Sequence, residues 1–195
     1  MSNIKFQPWV GKKYFHSKYN KRVLVLGESH YCTNASDAQS CMTQEIIEDL
    51  FDSKSEFEGY KNTYTKFVRA LSGIDVSRCD VKPIWDEIMF YNYVQFPISS
   101  ARKEPTSKEF ADSASAFWEV LEKYRPNIVI VWGKRLYNNL PKAGYQGRDC
   151  KDIETWIYQL KNGQEVRLLP ITHPSAGFEI SYWHGIMTDF ISSDK

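Results

Sequence analysis

Arg22-Val23-Leu24-Val25-Leu26-Gly27, followed at once by Glu28-Ser29-His30-Tyr31, is the stretch on which the fold turns. The run is apolar without interruption and closes on glycine, so it reads as a strand buried on both faces, the kind found inside a parallel sheet. Working outward, strands alternate with helices, which is the pattern of a parallel sheet covered on both sides. Met42 and Ile47 form a hydrophobic staple around an N-cap at Thr43, opening a helix whose apolar face is Ile46, Ile47, Leu50 and Phe51. A second helix carries Tyr60, Tyr64, Phe67, Val68 and Leu71 at helical spacing and stops at Gly73.

Ile88 to Val94 is predicted to be the second strand, rich in aromatic and β-branched residues and bounded by Pro97. Thr106-Ser107-Lys108-Glu109 is a capping box, and Phe110, Ala114, Phe117, Leu121 and Tyr124 then line one helix face up to Pro126. Ile128 to Trp132 is a wholly apolar third strand, closed by Gly133 before a short helix to Leu140. The Asn162-Gly163 step between Trp156 and Leu169 marks a hairpin that adds an antiparallel edge strand. A last helix buries Trp183, Ile186, Met187, Phe190 and Ile191. The expectation is an α/β protein of three layers, α/β/α, with a mostly parallel sheet of about four strands plus one antiparallel edge strand.

The 195 residues form a single expected domain over 1–195, since a domain takes roughly 150 residues. Lysine and arginine number 25 against 24 acidic residues, and 42% of the chain is hydrophobic, a composition that excludes disorder, collagen and coiled coil. No apolar run reaches the ~20 residues of a membrane span, and Met1 to Phe6 carries no signal-peptide apolar region, so a cytoplasmic protein without membrane contact is expected. Cys32, Cys41, Cys79 and Cys150 include no close pair of the zinc-binding kind and read as free thiols.

Four polar segments stand at the carboxyl ends of predicted strands: Gly27 to Tyr31, Asn92 to Gln95, Gly133-Lys134-Arg135 and His173-Pro174-Ser175. In an open parallel sheet that edge binds ligands, so the four are expected to share one cleft. Their order, Gly27-Glu28-Ser29-His30-Tyr31, then Asn92, then His173-Pro174-Ser175, resembles the uracil-DNA glycosylase superfamily. Asn92-Tyr93-Val94-Gln95, Glu104 to Glu109 and Arg125-Pro126-Asn127-Ile128-Val129-Ile130-Val131-Trp132-Gly133 are similar to its iron-sulfur branch. The likeness spans about residues 21 to 190.

The resemblance implies a DNA glycosylase that excises uracil or another deaminated base, acting on DNA as a monomer without a cofactor. It places His173 as the donor to the anion forming on the base. Ser29, Glu28 and His30 stand around the position of the water-activating aspartate, which is Ser29 here. Gly27, Tyr31, Asn92 and Ser175 are the implied base-binding residues, Asn92 offering an acceptor and a donor side by side. Backbone N–H groups around Ser29 to Tyr31 and Ser175 are expected to hold phosphates or the base. Three features depart from the family: the aspartate is absent, the four cluster cysteines are not in place, and Ala176-Gly177-Phe178 lacks the leucine wedge. No metal or cluster is therefore expected. Phe57, Tyr60 and Phe67 are the candidates for stacking on the base.

Two other readings use the same residues. In an SGNH-type esterase Ser29 would be nucleophile, His173 its base and Asn92 an oxyanion donor, although Pro170 stands where the acid is expected. In an inactive member of the fold only nucleic-acid or nucleotide binding remains. DNA binding by a chain of net charge +1 requires its cations to gather on the cleft side. The cations in question are Lys12, Lys13, Lys18, Lys21 and Arg22, Arg102 with Lys103, Lys134 with Arg135 as phosphate contacts, and Arg148.

Overall fold

The computed structural model describes residues 2–77, 80–100 and 103–193. Met1, Cys79 and Arg102, named above, lie outside them. Seven strands form one sheet: β1 (Trp9–Val10), β2 (Val23–Gly27), β3 (Met89–Asn92), β4 (Ile128–Trp132), β5 (Tyr145–Gln146), β6 (Trp156–Gln159) and β7 (Glu165–Ile171). Six helices accompany it: α1 (Met42–Asp49), α2 (Lys61–Ser72), α3 (Lys82–Trp85), α4 (Ser107–Tyr124), α5 (Lys134–Asn139) and α6 (Ile180–Ser192). The sheet order is β1-β3-β2-β4-β7-β6-β5. The central four strands, β3, β2, β4 and β7, are mutually parallel.

Strand alternation sorts the core into two clusters. Val23, Val25, Phe90, Ile130 and Trp132 face α1, α2, α3 and α6, whereas Leu24, Leu26, Met89, Tyr91 and Val131 face α4 and α5. The three-layer α/β expectation and its four parallel strands therefore hold. The sheet is larger than expected, however. The hairpin strand β6 is not the edge, because β5 pairs beyond it, and β1 extends the opposite side. Two-residue strands and the four-residue α3 are too short to leave a periodic signal in sequence.

Helix α4 carries the anticipated capping box, with Thr106 and Glu109 bonded reciprocally, and ends at Arg125 in a left-handed conformation before Pro126. Gly73 closes α2 at φ 70°. Helix α1 corrects the sequence reading: Cys41 is its N-cap and Thr43 lies inside it, buried, with its hydroxyl turned to His30. Among the described residues no helix is long and apolar enough to cross a membrane.

A buried charge network joins α1 to α2. Lys61, with no exposed surface, pairs with Asp49 at 2.6 Å and donates to Ser55 Oγ at 2.6 Å and the Glu56 carbonyl at 2.9 Å. The hydroxyls of Ser55 and Tyr60 donate to the same carboxylate. Burial alone would push Asp49 up, but the bonds from Lys61, Ser55 and Tyr60 outweigh it and bring the group from 3.8 down to about 2. Its folded value lies below its unfolded one, so its contribution is complete above pH 3.8 and is lost as the pH falls toward 2. Urea midpoints measured across that interval should fall more steeply for the wild type than for Asp49→Asn; parallel curves would show that the network adds nothing pH-dependent.

Candidate functional site at the carboxyl edge

Because β3, β2, β4 and β7 are parallel neighbours, their carboxyl ends form one edge. Gly27 stands opposite Asn92, and Trp132 opposite Ile171. The chain leaves β2 for β3 on one side and later reaches β4 on the other, so the connections diverge at β2, the place where such sheets form a crevice. The expected segments are therefore aligned there. The stretch after β2 is not an open loop. Tyr93 N–H donates to the Gly27 carbonyl at 2.9 Å, Val94 to Glu28 at 2.8 Å and Ile98 to His30 at 2.9 Å, which prolongs the sheet past its regular end.

Asn92 lies across Gly27. A Cβ built on Gly27 would overlap Asn92 Oδ1 and stand 2.9 Å from Phe90 Cζ, so the amide can occupy this place only above a residue without a side chain. Asn92 Nδ2 meets the His30 ring, 3.3 Å from Nδ1 and 3.2 Å from Nε2, while Nε2 stands 2.9 Å from Thr43 Oγ1. One tautomer serves both neighbours: Nε2–H donates to Thr43 and the Nδ1 lone pair accepts from the amide. Burial lowers His30 from 6.5 to about 4, so the ring is neutral at physiological pH. One N–H of the Asn92 amide is thus engaged inside the protein, and Oδ1 stands over Gly27.

His173 follows β7 and is half-buried, with its ring edge-on to Trp132 at 5.8 Å between centroids. The backbone N–H of Ser175 donates to His173 Nδ1 at 3.2 Å, and Ser175 Oγ lies 2.7 Å from the same nitrogen. An N–H can only donate, so Nδ1 is an acceptor and the proton resides on Nε2. Nε2 has no partner among the described residues. Burial pushes the His173 pKa down, Glu28 pulls it up and Arg135 pushes it down again. The site therefore holds a neutral imidazole whose Nε2–H is unpartnered among the described residues.

Glu28 and Arg135 form a bidentate pair, at 2.8 Å from Nε and 2.6 Å from Nη2, and Arg135 also pairs with Glu104. Arg135 is thereby engaged by two carboxylates, whereas Lys134 has no ion-pair partner among the described residues. Among the described residues Ser29 Oγ is buried without a hydrogen-bond partner, so the Ser29–His173 dyad of an esterase is not made. Tyr31 is 47% exposed and is joined to Ile98 through the backbone.

Of the stacking candidates, Phe67 is wholly buried against Trp85 and Trp132, Tyr60 donates to Asp49, and Phe57 is exposed. Tyr64 is the aromatic that sequence reasoning passed over. Its ring touches Phe90 and Trp132, one on each side of β2, and its phenol is an electrostatic neighbour of Tyr31. Trp132 was legible as the last inward residue after Ile128 and Ile130. Thr43 is not the expected N-cap, and its spacing of four residues before the buried Ile47 is the signal that could have placed it on the inner face.

A cleft of about 600 Å³ opens on the β4–β7 side of the edge, among Lys134, Asp152, Glu154, Thr172, Glu179 and Trp183. It includes neither Gly27 nor Asn92, so cavity and polar cluster adjoin without coinciding. Three carboxylates against one lysine make it acidic. The basic segment from Lys12 to Arg22 precedes β2 and lies at the sheet's amino edge, about 17 Å from Gly27 at ~3.3 Å per residue. It is not the cleft-side phosphate track that DNA binding was expected to need.

Among the described residues no group of three or more His, Cys, Asp or Glu is placed to hold a metal ion, and Cys32, Cys41 and Cys150 are free thiols. Comparison with protein-family models finds none that matches the chain, and comparison with curated proteins finds no match either.

Gly27→Ala should lower the urea midpoint by an amount equivalent to ~1–3 kcal/mol, the usual range for overpacking. In an Asn92→Ala background part of that loss should disappear, because the overlapped oxygen is gone. Strict additivity in this double-mutant cycle would contradict the packing of Asn92 over Gly27.

Proposed function

We propose that the carboxyl-edge cluster recognises a nucleobase and that the protein is a DNA glycosylase of uracil-DNA-glycosylase type, hydrolysing the N-glycosidic bond to uracil or another deaminated base. The observation that carries this reading is the Ser175 N–H donated to His173 Nδ1, which leaves Nε2–H as a fixed donor at the site. As the glycosidic bond breaks, its electron pair moves into the base. A donor set against the resulting oxyanion contributes ~2.7–4 kcal/mol when well placed. A neutral imidazole can supply it without first losing a proton. Asn92 Oδ1, held over Gly27, suits an N–H donor such as uracil N3–H. The target base would have to leave the duplex stack first, and Tyr31, exposed just after β2, is an aromatic group it could meet.

One set of contacts favours the second reading, nucleobase binding without hydrolysis. Ser29 occupies the aspartate position, Glu28 is held by Arg135, and His30 is neutral and enclosed, so each group suited to activating water is committed elsewhere or uncharged. A glycosylase built this way would depend on leaving-group stabilisation. DNA, the proposed partner, would be held with little help from Lys134 alone, so weak binding with a shallow salt dependence is expected.

Incubation with single- and double-stranded oligonucleotides containing uracil, hypoxanthine or xanthine, followed by alkaline cleavage, separates the two. Hydrolysis is expected to give abasic product with at least one base, with His173→Ala slowing it by about a hundredfold or more. Absence of product from every substrate, beside an active control enzyme, would leave binding alone.

A further inference from the structure

A second pocket lies at the amino edge of the sheet, on the far side from His173. It measures about 480 Å³ and is lined by Tyr14, Phe15, His16, Ser17, Asn20, Lys21, Arg22 and Asn127, with no carboxylate among them. Its floor is rigid. Arg22 and Asn127 stand side by side just before β2 and β4, with Arg22 N–H donating to Asn127 Oδ1 at 2.9 Å and Asn127 N–H returning to the Arg22 carbonyl at 2.8 Å. One wall is a 3-10 turn, Tyr14–His16, and the chain comes back through Asn20 at φ 53°. That left-handed turn brings Lys21 and Arg22 round beside His16.

Arg22 is the group that asks for a ligand. Its Nη2 donates to the neutral Gln164 at 3.3 Å, its Nε is buried without a hydrogen-bond partner, and among the described residues no carboxylate pairs with it. The Arg22 side chain lines this pocket, and guanidinium forks match phosphate oxygens. The nearby acid, Glu87, is already engaged by Lys13 Nζ at 3.3 Å and Lys18 N–H at 2.8 Å. Phe15, 55% exposed, presents an apolar ring at the rim.

We propose that this amino-edge pocket binds a phosphate monoester, with the phosphate on Arg22 and His16 and an aromatic or apolar remainder against Phe15. Its size lies within the ~300–1,000 Å³ of small-ligand sites. The site is independent of the carboxyl-edge reading and stands or falls without it. Lys21 lines the pocket as well, but Arg22 and His16 carry the assignment.

The test titrates the full chain with inorganic phosphate, AMP and adenosine, followed by calorimetry and by amide NMR shifts of residues 14–22 and 127. Phosphate and AMP should saturate those shifts, AMP more tightly through Phe15, with adenosine weaker than AMP by about tenfold or more. Arg22→Gln and His16→Ala should each weaken AMP by roughly fivefold to tenfold. His16 is exposed, so its variant decides the matter if Arg22→Gln fails to fold. No saturable response to phosphate or AMP, adenosine binding as well as AMP, or both variants binding like the wild type would each overturn the proposal.

Discussion

Strand β2 has neither an exposed face nor a free edge: every residue from Val23 to Gly27 is buried, and β3 and β4 pair with it on either side. A backbone in that position can satisfy its N–H and C=O groups only through its neighbours, and its side chains have to be apolar. Polar chemistry is thereby driven to the strand ends. The same holds for β4, also wholly buried, and for β3, whose one polar residue, Asn92, is its last. Glycine at the end of β2 then leaves the space that Asn92 fills.

The two histidines of this edge divide the work by what surrounds them. His30 is enclosed between Thr43 and Asn92, so its ring nitrogens are engaged inside the protein. His173 receives Ser175 on one nitrogen and leaves the other unpartnered among the described residues. The charges follow a comparable division. Glu28 and Arg135 neutralise each other beside the site, and the clustered cations before β2 lie at the opposite end of the sheet. The carboxyl edge is organised by hydrogen bonds and neutral groups rather than by a field, which suits recognition of an uncharged ring better than capture of a polyanion.

Much of this was legible in the sequence where the signal is local. Ile128–Trp132 appears as a strand as read, because five apolar residues between proline and glycine permit little else. Helix α4 begins at its capping box for the same reason. Strand β3 is shorter than the expected Ile88 to Val94, since the apolar run continues into a connection that is buried as well. The site was legible as an edge and not as a set of contacts. Glu28 and Arg135 are 107 positions apart, and Asn92 and His30 are 62 apart. Nothing in local composition announces that a bidentate pair will occupy the arginine or that a histidine will take the donor of the amide. Thr43 shows the converse: a good capping residue by type was overruled by its place on the buried face of α1.

Everything proposed for the carboxyl edge rests on the protonation of His173. Long-range nitrogen-proton NMR correlation of the imidazole groups reads it directly. At neutral pH the His173 ring should show an unprotonated Nδ1 and a protonated Nε2, with the shift to imidazolium appearing below the ordinary histidine value. A ring protonated at Nδ1, or already cationic at neutral pH, would contradict the account.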